Sequence, residues 1–580
     1  MISDFSVLFG GEAGYGTMSA GTLVAKAATR HGLWAEGESE FPSLIKGGLN
    51  TSQITISEEP VFACEEATNF LGVVSQPALD FNLARVKAGG IVLFDSGAIK
   101  LDQSQLPKGV LAIGVDIAGA LPGAQAKVMA NAVLLGAFSA LSGFPRDWLR
   151  EALVSEFADK PEVAKLNGEL FDKAYSDQSG KGRNLWHLNA PGDKGRILIN
   201  GNDAIALGAL AAGVKFAAGY PMTPGTSVLI YLADHGAPHG LVFKQAEDEL
   251  AAMNMLIGAS YSGARVMGST SGGGFSLMTE ALGFAGIAEL PITMVVAQRG
   301  GPSTGLPTRT MQADLKCALY ASQGEFPRII MAPGDVQECF LETFRTVNWA
   351  DQYQLPAIIL TDKDLADSMY TTEKFNVTGL KNERKSITPQ PSEGYKRYLD
   401  TSGGVSPRTL PGTVNGGHIA TSYTHQEDGF YSSGNKEYAA FEPEVTRKSI
   451  DKLYRKFATL AAEITDSIVL HGSKDAEITL VGWGSTKGAI LEALKSAKLA
   501  GKSANFVQVR YISPFPTKAI EEILRHSQRT LLVEGNATGQ LGDLIRVNTG
   551  IHLEERYLKY DGKPFTPSGI WQRIQEVLAK

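Results

Sequence analysis

Short apolar segments of β-strand length alternate with helical patterns along most of this chain, and this alternation restricts its fold more than any other feature. In residues 1–190, strands are predicted for FSVLFGG, TSQITI, NFLGVVS, GIVLFDS and GVLAIGV, and helices for TMSAGTLVAKAATRHG and NAVLLGAFSALSG. Strands that alternate with helices are typical of α/β domains. The first 190 residues are therefore predicted to form one α/β domain.

Two further α/β units follow, with a segment of fading periodicity between them. Residues 191–375 repeat the pattern of strand, glycine-rich loop and helix, and residues 446–580 repeat it after a charged helix. Residues 376–445 are rich in Pro, Gly, Ser and Thr and predict a long connecting segment. Because 580 residues are too many for one hydrophobic core, we expect three α/β domains with these boundaries.

The charge and hydropathy patterns exclude several classes of protein. The formal net charge is −7, and no basic stripe favours binding to nucleic acid. No apolar run reaches the length of a membrane-spanning helix. The N-terminal MISDFSVLFGGEAG lacks a basic region and enters a predicted strand at once, which argues against a signal peptide. These features predict a cytoplasmic protein.

The three cysteines, Cys64, Cys317 and Cys339, are far apart, and the sequence contains no CxxC motif. This spacing argues against a disulfide framework. It also argues against a zinc or iron–sulfur site held by this chain alone. We therefore expect buried thiols in a reducing compartment.

The segment GGEAGYG, residues 10–16, follows a predicted strand and opens a predicted helix. Its glycine spacing differs from the GxGxxG pattern of dinucleotide-binding folds. The start of a helix at this place could hold a phosphate group. The alternative is that the glycines only allow the strand and the helix to pack closely, and the local sequence does not decide between the two.

Three loops of the second unit are candidate ligand-binding loops because they follow predicted strands. AAGYPMTPGTS has two prolines around one Met-Thr pair, although by itself it is consistent with an ordinary strand-to-helix turn. STSGGG and QRGGPSTGLPTR begin where α/β sheets bind ligands, at the carboxyl ends of strands. Arg299 ends its strand near hydroxyl residues and could hold a carboxylate or form a structural ion pair.

Three acidic residues, Glu247, Asp248 and Glu249, stand at the start of a predicted helix. Acids favour this position because the helix dipole stabilises them there. The helix behind them is dense in Ala, Met and Ile, as in a buried helix. A carboxylate on its inward face would be desolvated and suited to proton chemistry.

Four segments of the second unit, in order, resemble the pyrimidine-binding domain of the thiamine-diphosphate-dependent 2-oxoacid:ferredoxin oxidoreductases: GYPMTPGTS, QAEDELAAMNMLIGAS, TSGGGFSLMTEALGFAG and QRGGPSTGLPTR. Met222 replaces the Ile of the family pattern Tyr-Pro-Ile-Thr-Pro. In the first unit, GGEAGYG and FPSLIKGGLN resemble the family's gamma domain, with Lys46 where the usual motif has Arg. In the last unit, VGWGSTKGAI, VRYISPFP and VEGNATGQL resemble the transketolase C-terminal-like domain.

The resemblance covers nearly the whole chain and is to alpha subunits that carry the gamma domain fused at the N-terminus. It implies a gamma-type domain at 1–190, a pyrimidine-binding domain at 191–375 and a transketolase C-terminal-like domain at 446–580. It implies oxidative decarboxylation of a 2-oxoacid with coenzyme A, with electrons passed to ferredoxin. The fused gamma domain and the form of the QRGGPSTGLPT motif make 2-oxoglutarate the first choice of substrate.

The resemblance also assigns roles to individual residues. Related sequences place the glutamate that hydrogen-bonds the aminopyrimidine of thiamine diphosphate nine residues before a glycine, here Gly258, which selects Glu249 and leaves Glu247 as the alternative. Tyr220 would also contact the cofactor. Thr223, presented by the two prolines, would hydrogen-bond the reacting oxygen.

Substrate binding is assigned in the same way. Arg299 and Thr308 match family positions that hold the 2-oxoacid, and Lys46 is expected to be a further substrate-binding residue. Lys46 keeps the charge of the family arginine but loses its bidentate fork.

A partner subunit is implied by what the sequence lacks. The family binds the diphosphate and Mg²⁺ with a Gly-Asp-Gly motif, which does not occur here, and the cysteines for a cluster are missing. A beta subunit is therefore expected to hold the diphosphate, Mg²⁺ and a [4Fe-4S] cluster, in an (alpha-beta)2 assembly. The alternatives are a pyruvate- or indolepyruvate-type member of the family and a scaffold subunit without catalysis.

Overall fold

The computed structural model describes residues 4–44, 47–117, 119, 126–432 and 440–580, without the side chains of 126–128. The strands in chain order are β1 (Asp4–Glu12), β2 (Trp34–Glu40), β3 (Leu49–Ser57), β4 (Thr68–Val73), β5 (Val86–Asp95), β6 (Leu111–Val115), β7 (Ile197–Asn200), β8 (Phe216–Gly219), β9 (Val242–Gln245), β10 (Val266–Thr270), β11 (Ile292–Gln298), β12 (Ile329–Met331), β13 (Pro356–Asp362), β14 (Met369–Thr372), β15 (Ile468–His471), β16 (Ile478–Gly482), β17 (Ala504–Val509), β18 (Tyr511–Ser513), β19 (Thr530–Glu534) and β20 (Arg556–Leu558).

The α-helices in chain order are α1 (Thr17–Arg30), α2 (Gln76–Asn82), α3 (Ala126–Ser142), α4 (Arg146–Ser155), α5 (Pro161–Gln178), α6 (Gly201–Ala211), α7 (Thr226–His235), α8 (Glu249–Tyr261), α9 (Gly272–Ile287), α10 (Leu315–Tyr320), α11 (Val336–Tyr353), α12 (Lys363–Asp367), α13 (Pro443–Glu463), α14 (Thr486–Leu499), α15 (Thr517–His526), α16 (Gln540–Thr549) and α17 (Pro567–Ala579). The described part of the chain is thus of the α/β class, which confirms the fold class predicted from the alternating pattern.

The first sheet has the strand order β6-β5-β4-β1-β3-β2-β14-β7. Neighbours from β6 to β1 run parallel, whereas β3, β2, β14 and β7 each pair antiparallel with the strand before them in this order. The last two strands, β14 and β7, come from the predicted second unit. The sheet therefore crosses the boundary predicted at residue 190, and the domain boundaries remain predictions.

The second sheet has the order β18-β12-β13-β11-β10-β8-β9 and is parallel except for β18. Because β18 belongs to the predicted third unit, that unit donates an edge strand to its neighbour. The third sheet has the order β15-β17-β16-β19-β20, with only β15 antiparallel. One hydrophobic cluster joins the second and third sheets and includes the fully buried side chains of Met294, Trp483 and Val507.

The segment between β14 and α13 contains, within 376–432 and 440–442, isolated bridges but neither a helix nor a strand. It is nevertheless packed into the molecule. Tyr398 and His425 are buried and stack with ring centroids 3.7 Å apart. Arg397 donates a hydrogen bond of 2.9 Å to the carbonyl oxygen of Glu289, which follows α9 closely in the chain. The segment thus covers the C-terminal end of α9.

A buried cluster of charged side chains attaches helix α13 to Glu289, just after α9. The carboxylate of Glu289 accepts hydrogen bonds from Lys452 at 2.6 Å and from Lys456 at 2.7 Å, and all three side chains are buried. The two ammonium groups and Arg397 hold the pKa of the Glu289 carboxyl well below its usual range, although its burial acts in the opposite direction. Removing one partner from such a cluster leaves an uncompensated buried charge.

Among the described residues, none of the helices combines the length with the apolar composition that a membrane crossing requires.

Replacing Glu289 by Gln is expected to lower the free energy of unfolding by about 3–5 kcal/mol, because two buried lysines lose their anion. Denaturant titration followed by circular dichroism measures the change. The matched control is Glu427→Gln, since the pair of Glu427 with Lys396 is largely exposed and its loss is expected to cost less than about 1 kcal/mol. Equal effects of the two substitutions would contradict the structural role of the cluster.

Candidate active site

The turn after β8 is held in place by hydrogen bonds that its carbonyl oxygens accept. A proline has no N–H group, so the two prolines, Pro221 and Pro224, cannot donate to a neighbouring strand or helix. Three consecutive carbonyl groups instead accept hydrogen bonds from side chains that belong to three different places in the chain. These bonds are Arg299 Nη1 to Thr223 O at 2.7 Å, Asn202 Nδ2 to Pro224 O at 2.8 Å, and Ser269 Oγ to Gly225 O at 2.8 Å.

Gly225 lies directly against the carboxyl end of β10. A Cβ atom at this position would be 2.7 Å from the carbonyl oxygen of Thr270 and 2.8 Å from Ser269 Oγ. Both distances are too short for any side chain to fit without a shift of the neighbouring backbone. The glycine therefore brings the turn next to the loop that opens α9.

Helix α8 begins at the acidic triplet, and its three members have different environments. The side chain of Asp248 accepts a hydrogen bond of 2.7 Å from the N–H of Ala251, which makes it the N-cap of the helix. Glu247, before the cap, is exposed to solvent, whereas Glu249, the first helical residue, is only 3% exposed. The helix start thus turns one of the three carboxylates inward.

The buried carboxylate of Glu249 faces the first turn of α9. A Cβ atom on Gly274 would lie 2.5 Å from Glu249 Oε1 and 2.2 Å from Thr270 Oγ1, so that only glycine leaves room for both groups. Both of these oxygen atoms are buried, and neither has a hydrogen-bond partner in the described part of the chain. The same is true of Ser271 Oγ, at the N-cap of α9. Buried polar groups without partners are rare in proteins, and a bound ligand, ion or water molecule is one explanation for them.

Arg299 follows β11 directly and begins a loop that folds back on itself. The N–H of Gly300 donates to the carbonyl oxygen of Arg309 at 3.1 Å, and the N–H of Leu306 donates to that of Gly300 at 2.7 Å. The returning part of this loop carries the buried Thr308. Arg299 and Thr308 therefore lie in adjacent parts of one closed loop.

A further carboxyl group, that of Asp314, lies beside Arg299 at the start of α9. A Cβ atom on Gly272 would be 2.2 Å from Asp314 Oδ2. Burial raises the pKa of Asp314 from its ordinary value to about 6, although the positive charge of Arg299 acts in the opposite direction. Burial also lowers the pKa of Arg299, and the carboxylate of Asp314 opposes that change.

Gln312 attaches this loop to the third unit. Its backbone N–H donates to Gly535 O at 2.6 Å, and its side-chain oxygen accepts from Gly535 N at 2.9 Å. Its side-chain amide donates to Trp483 O at 2.9 Å, and its carbonyl oxygen accepts from Asn536 Nδ2 at 3.0 Å. The loops after β16 and β19 thus hold the end of the Arg299 loop in place.

The first sheet also reaches this loop. Arg309 donates to the carboxylate of Glu40 at the end of β2, and Lys363 donates to the carbonyl oxygen of Ser39. The Arg299 loop is therefore in contact with all three sheets of the chain.

The structure brings together three of the residues selected from the sequence. Thr223 and Arg299 are hydrogen-bonded, and Thr270 joins their turn to Glu249. Tyr220 precedes the turn and is 39% exposed. Lys46 lies outside the described residues.

Sequence reasoning did not select four residues of this arrangement as site residues: Asn202, Thr270, Gln312 and Asp314. Thr270 lies inside the STSGGG loop, which the sequence had indicated as a ligand loop, and Gln312 and Asp314 follow the QRGGPSTGLPTR motif by only a few residues. For Thr270, Gln312 and Asp314, the only sequence signal for a role in the site was their position in or next to these loops. No such signal pointed to Asn202, because it lies at the start of α6, about twenty residues before the turn.

Within the described residues, no group of three or more His, Cys, Asp or Glu side chains is placed to hold a metal ion. The candidate site contains one buried carboxylate and two hydroxyls that have no partner among the described residues, together with the Arg299–Thr223 pair and the carboxyl group of Asp314, whose pKa is raised. It suits a ligand that has a hydrogen-bonding ring and a carboxylate.

Three family models match the chain. They are pyruvate ferredoxin/flavodoxin oxidoreductase over residues 6–176, the thiamine-diphosphate-binding part of pyruvate flavodoxin/ferredoxin oxidoreductase over 207–441, and core domain II of pyruvate:ferredoxin oxidoreductase over 476–570. The second of these matches contains all the residues of the candidate site from Thr223 to Asp314.

Individual proteins match over most or all of the chain. The 2-oxoacid:ferredoxin oxidoreductase subunit alpha of Saccharolobus solfataricus is 31% identical, over 99% of this chain and 98% of its own length. The 2-oxoglutarate synthase subunit KorA of Methanothermobacter marburgensis is 34% identical, over 65% of this chain and 97% of its own. The solved 2-oxoglutarate:ferredoxin oxidoreductase from Magnetococcus marinus, with 2-oxoglutarate, coenzyme A and succinyl-CoA bound, superposes with a TM-score of 0.89 at 31% identity and covers both chains fully.

Replacing Asp314 by Asn is expected to raise the free energy of unfolding near neutral pH and to change it little in acid. The folded pKa of about 6 lies above the ordinary value of 3.8. The proton bound to Asp314 therefore makes its full contribution to stability below pH 3.8, and this contribution is lost as the pH rises through about 6. Asn imitates the protonated form, so the gain should reach about 3 kcal/mol above that pH.

Denaturant titrations between about pH 4 and pH 8 measure this difference. Asp234→Asn is the control, because Asp234 is exposed. A gain that is the same at every pH would show that the substitution acts through packing and not through the proton.

Proposed function

Because this chain belongs to the alpha subunits of the 2-oxoacid:ferredoxin oxidoreductases, we propose that its candidate site holds the pyrimidine half of thiamine diphosphate and decarboxylates 2-oxoglutarate by preference. The full reaction converts one 2-oxoacid, one coenzyme A and two oxidised ferredoxins to acyl-CoA, CO2, two reduced ferredoxins and a proton. The Magnetococcus marinus structure holds 2-oxoglutarate and coenzyme A, which supports this choice of substrates.

The observation that carries the proposal is the environment of Glu249. Its carboxylate is buried at the start of α8, one of its oxygens has no partner among the described residues, and Gly274 leaves the space in front of that oxygen open. A ring nitrogen of the aminopyrimidine would supply the missing hydrogen bond. Glu249 would hold that nitrogen and could exchange a proton with it when the cofactor is bound, which a solvated carboxylate such as that of Glu247 would do far less well.

The other groups around this space fit the same cofactor. Thr270 Oγ1 and Ser271 Oγ also lack partners in the described part of the chain and lie beside the open glycine turn of α9. Tyr220, at the edge of the turn that carries Thr223, offers an aromatic face at the rim of the site. When bound, the cofactor supplies a carbon nucleophile for the 2-oxo group and stabilises the charge that loss of CO2 leaves behind.

The substrate is oriented by Arg299, Thr308 and Thr223. One guanidinium nitrogen of Arg299 already holds the carbonyl oxygen of Thr223, which fixes the plane of the fork and leaves the remaining N–H groups for the 1-carboxylate of the 2-oxoacid. Thr223 presents its hydroxyl to the reacting oxygen, and Thr308 lines the returning part of the same loop. Lys46 is proposed to bind the substrate as well, from the gamma-type part of the chain.

Exposed apolar side chains on the surface of the site support the presence of a second subunit. Leu250 on α8 is 48% exposed and Leu277 on α9 is 49% exposed, and both helices are rich in apolar residues. We propose that a beta subunit covers these helices, brings the diphosphate site, Mg²⁺ and a [4Fe-4S] cluster to the cofactor, and assembles with this chain as (alpha-beta)2. In this arrangement the beta subunit also passes the electrons to ferredoxin.

The function is tested by co-expressing the chain with a beta subunit and measuring 2-oxoacid-dependent, coenzyme A-dependent reduction of a viologen dye. Glu249→Gln should remove turnover and leave assembly intact in gel filtration, because an amide cannot accept and return the ring proton. Glu247→Gln is the matched control and should keep activity, since Glu247 is exposed. The opposite result would mean that Glu247 is the cofactor residue.

Arg299→Lys is expected to lower kcat/KM for every 2-oxoacid by roughly 10- to 150-fold, which corresponds to the roughly 1.5–3 kcal/mol of a charge-assisted hydrogen bond. Lysine keeps the charge but cannot form the two-pronged contact. Because all substrates share the 1-carboxylate, the ratio between pyruvate and 2-oxoglutarate should change little.

Arg309→Lys is the control for this substitution, since Arg309 lies in the same loop but is paired with Glu40. It should leave kcat/KM near that of the unaltered complex. If Arg299→Lys impairs only the reaction of 2-oxoglutarate, the arginine binds the distal carboxylate and its assignment to the 1-carboxylate is wrong.

A further inference from the structure

Glu534 is a buried carboxyl group for which the proposed reaction has no role. It is the last residue of β19, and its side chain is fully buried. Its Oε1 accepts a hydrogen bond of 3.1 Å from Trp483 Nε1 and one of 2.8 Å from the N–H of Leu541. Its Oε2 has no hydrogen-bond partner among the residues that the structure describes. The group thus joins the loop after β16 to the start of α16.

The surroundings of Glu534 favour the neutral form of its carboxyl group. Burial raises the pKa of Glu534 to about 7, although the N–H of Leu541 and the other donors around it act in the opposite direction. Below that pH the group is mostly protonated, and its Oε1 serves as a neutral acceptor. A glutamine side chain has the same shape and offers the same acceptor. Gln can therefore replace Glu534 without loss of the two hydrogen bonds.

The residues that follow Glu534, 535–540, form a loop that holds the chain at Gln312. The N–H of Gly535 donates to the side-chain oxygen of Gln312 at 2.9 Å, and its carbonyl oxygen accepts from the backbone N–H of Gln312 at 2.6 Å. Asn536 Nδ2 donates to Gln312 O at 3.0 Å. Asn536 Oδ1 also accepts a bond of 2.7 Å from the N–H of Gly539, which stabilises the shape of the 535–540 loop.

The far end of the 535–540 loop holds the same part of the chain a second time. Gln540 Nε2 donates to the carbonyl oxygen of Ala313 at 2.8 Å, and Gln540 Oε1 accepts from the N–H of Lys316 at 2.9 Å. Asp314 lies between these two contacts in the chain. The loop therefore holds segment 312–316 on both sides of Asp314.

Segment 312–316 continues the loop that begins at Arg299. The two ends of that loop are joined by the hydrogen bond of 3.1 Å from the N–H of Gly300 to the carbonyl oxygen of Arg309. Only two residues separate Arg309 from Gln312. Because this connection is so short, a displacement of Gln312 also displaces the returning part of the loop.

We propose that Glu534 is a positioning residue for the 2-oxoacid. By joining the loop after β16 to the start of α16, it fixes the 535–540 loop. That loop holds Gln312 and thereby keeps Arg299 and Thr308 in the arrangement that binds the substrate. Glu534 itself touches neither substrate nor cofactor. The proposal rests on the proposed function, because the assignment of Arg299 to the substrate comes from there.

The test compares Glu534→Leu, which removes both hydrogen bonds, with Glu534→Gln, which keeps them. Leucine leaves two buried N–H donors without an acceptor, and this loosens the elements that carry them. Glu522→Leu is the matched control, because Glu522 is exposed on α15 of the same unit. The first measurement is amide hydrogen exchange of the full-length chain, followed by mass spectrometry. We expect exchange in residues 300–311 to be about tenfold faster in Glu534→Leu and within about twofold of the unaltered chain in the other two variants.

The second measurement is steady-state kinetics of the complex with a beta subunit at about pH 6, where Glu534 is mostly protonated. Glu534→Leu should raise KM for both pyruvate and 2-oxoglutarate by about tenfold and change kcat by less than about threefold. KM carries the effect because the loop binds the 1-carboxylate before and during the reaction alike. The dissociation constant of thiamine diphosphate should stay within about twofold, since Glu249 lies on α8 and the 535–540 loop holds segment 312–316.

The proposal is overturned if residues 300–311 exchange equally fast in Glu534→Leu and Glu522→Leu, or if KM for the 2-oxoacids does not change. It is also overturned if Glu534→Gln behaves like Glu534→Leu. The same holds if thiamine diphosphate binding weakens as much as substrate binding, since a general loss of structure would affect both.

If Glu534→Leu does not fold, Gln540→Met takes its place. This variant keeps the length of the side chain but removes the bonds to Ala313 and Lys316, and the same changes in exchange and KM are expected. If the unaltered complex does not convert 2-oxoacids, the proposed function fails. Hydrogen exchange then still decides whether Glu534 holds the loop, because it does not depend on turnover.

Discussion

The hydrogen bonds to the carbonyl oxygens of Thr223, Pro224 and Gly225 are the interaction on which the candidate site depends. A turn with two prolines cannot be held through its N–H groups, so Arg299, Asn202 and Ser269 hold it from the other side of the peptide. A neutral bond of this kind contributes about 0.5–1.5 kcal/mol, and the bond from the charged Arg299 about 1.5–3 kcal/mol. Their importance is geometric, because together they tie the ends of β8, β10 and β11 and the start of α6 into one arrangement.

That arrangement is supported from outside the second sheet. Gln312 connects the Arg299 loop to the loops after β16 and β19, and the two sheets share a hydrophobic cluster. The third unit contributes none of the groups that we propose to touch substrate or cofactor. Its contribution is to hold the loop that carries Arg299, Thr308 and Asp314. A catalytic group gains most from its supporting contacts when these leave it a single position.

Two pairs of acidic side chains differ in their surroundings. Two of them have more cationic partners than their charge requires: Glu289 faces two lysines, and Asp351 accepts hydrogen bonds from Arg265, Arg384 and Arg408. The carboxyl groups of the site differ, since one oxygen of Glu249 has no partner among the described residues and burial raises the pKa of Asp314 to about 6. A protein tolerates such unpaired groups where a ligand completes them.

The sequence by itself determined the α/β class and the strand-loop-helix units, because hydrophobic periodicity and glycine placement are local properties. It also identified Thr223, Glu249 and Arg299 as candidates, since each stands in a recognisable loop or helix start. The tertiary structure alone decided which acid of the triplet is buried, because a one-residue change at a helix start turns a side chain by about 100°. Only the structure showed that Asn202, Gln312 and Asp314 belong to the site, and that β7, β14 and β18 complete sheets of other units. Such contacts join residues far apart in the chain, and no local pattern encodes them.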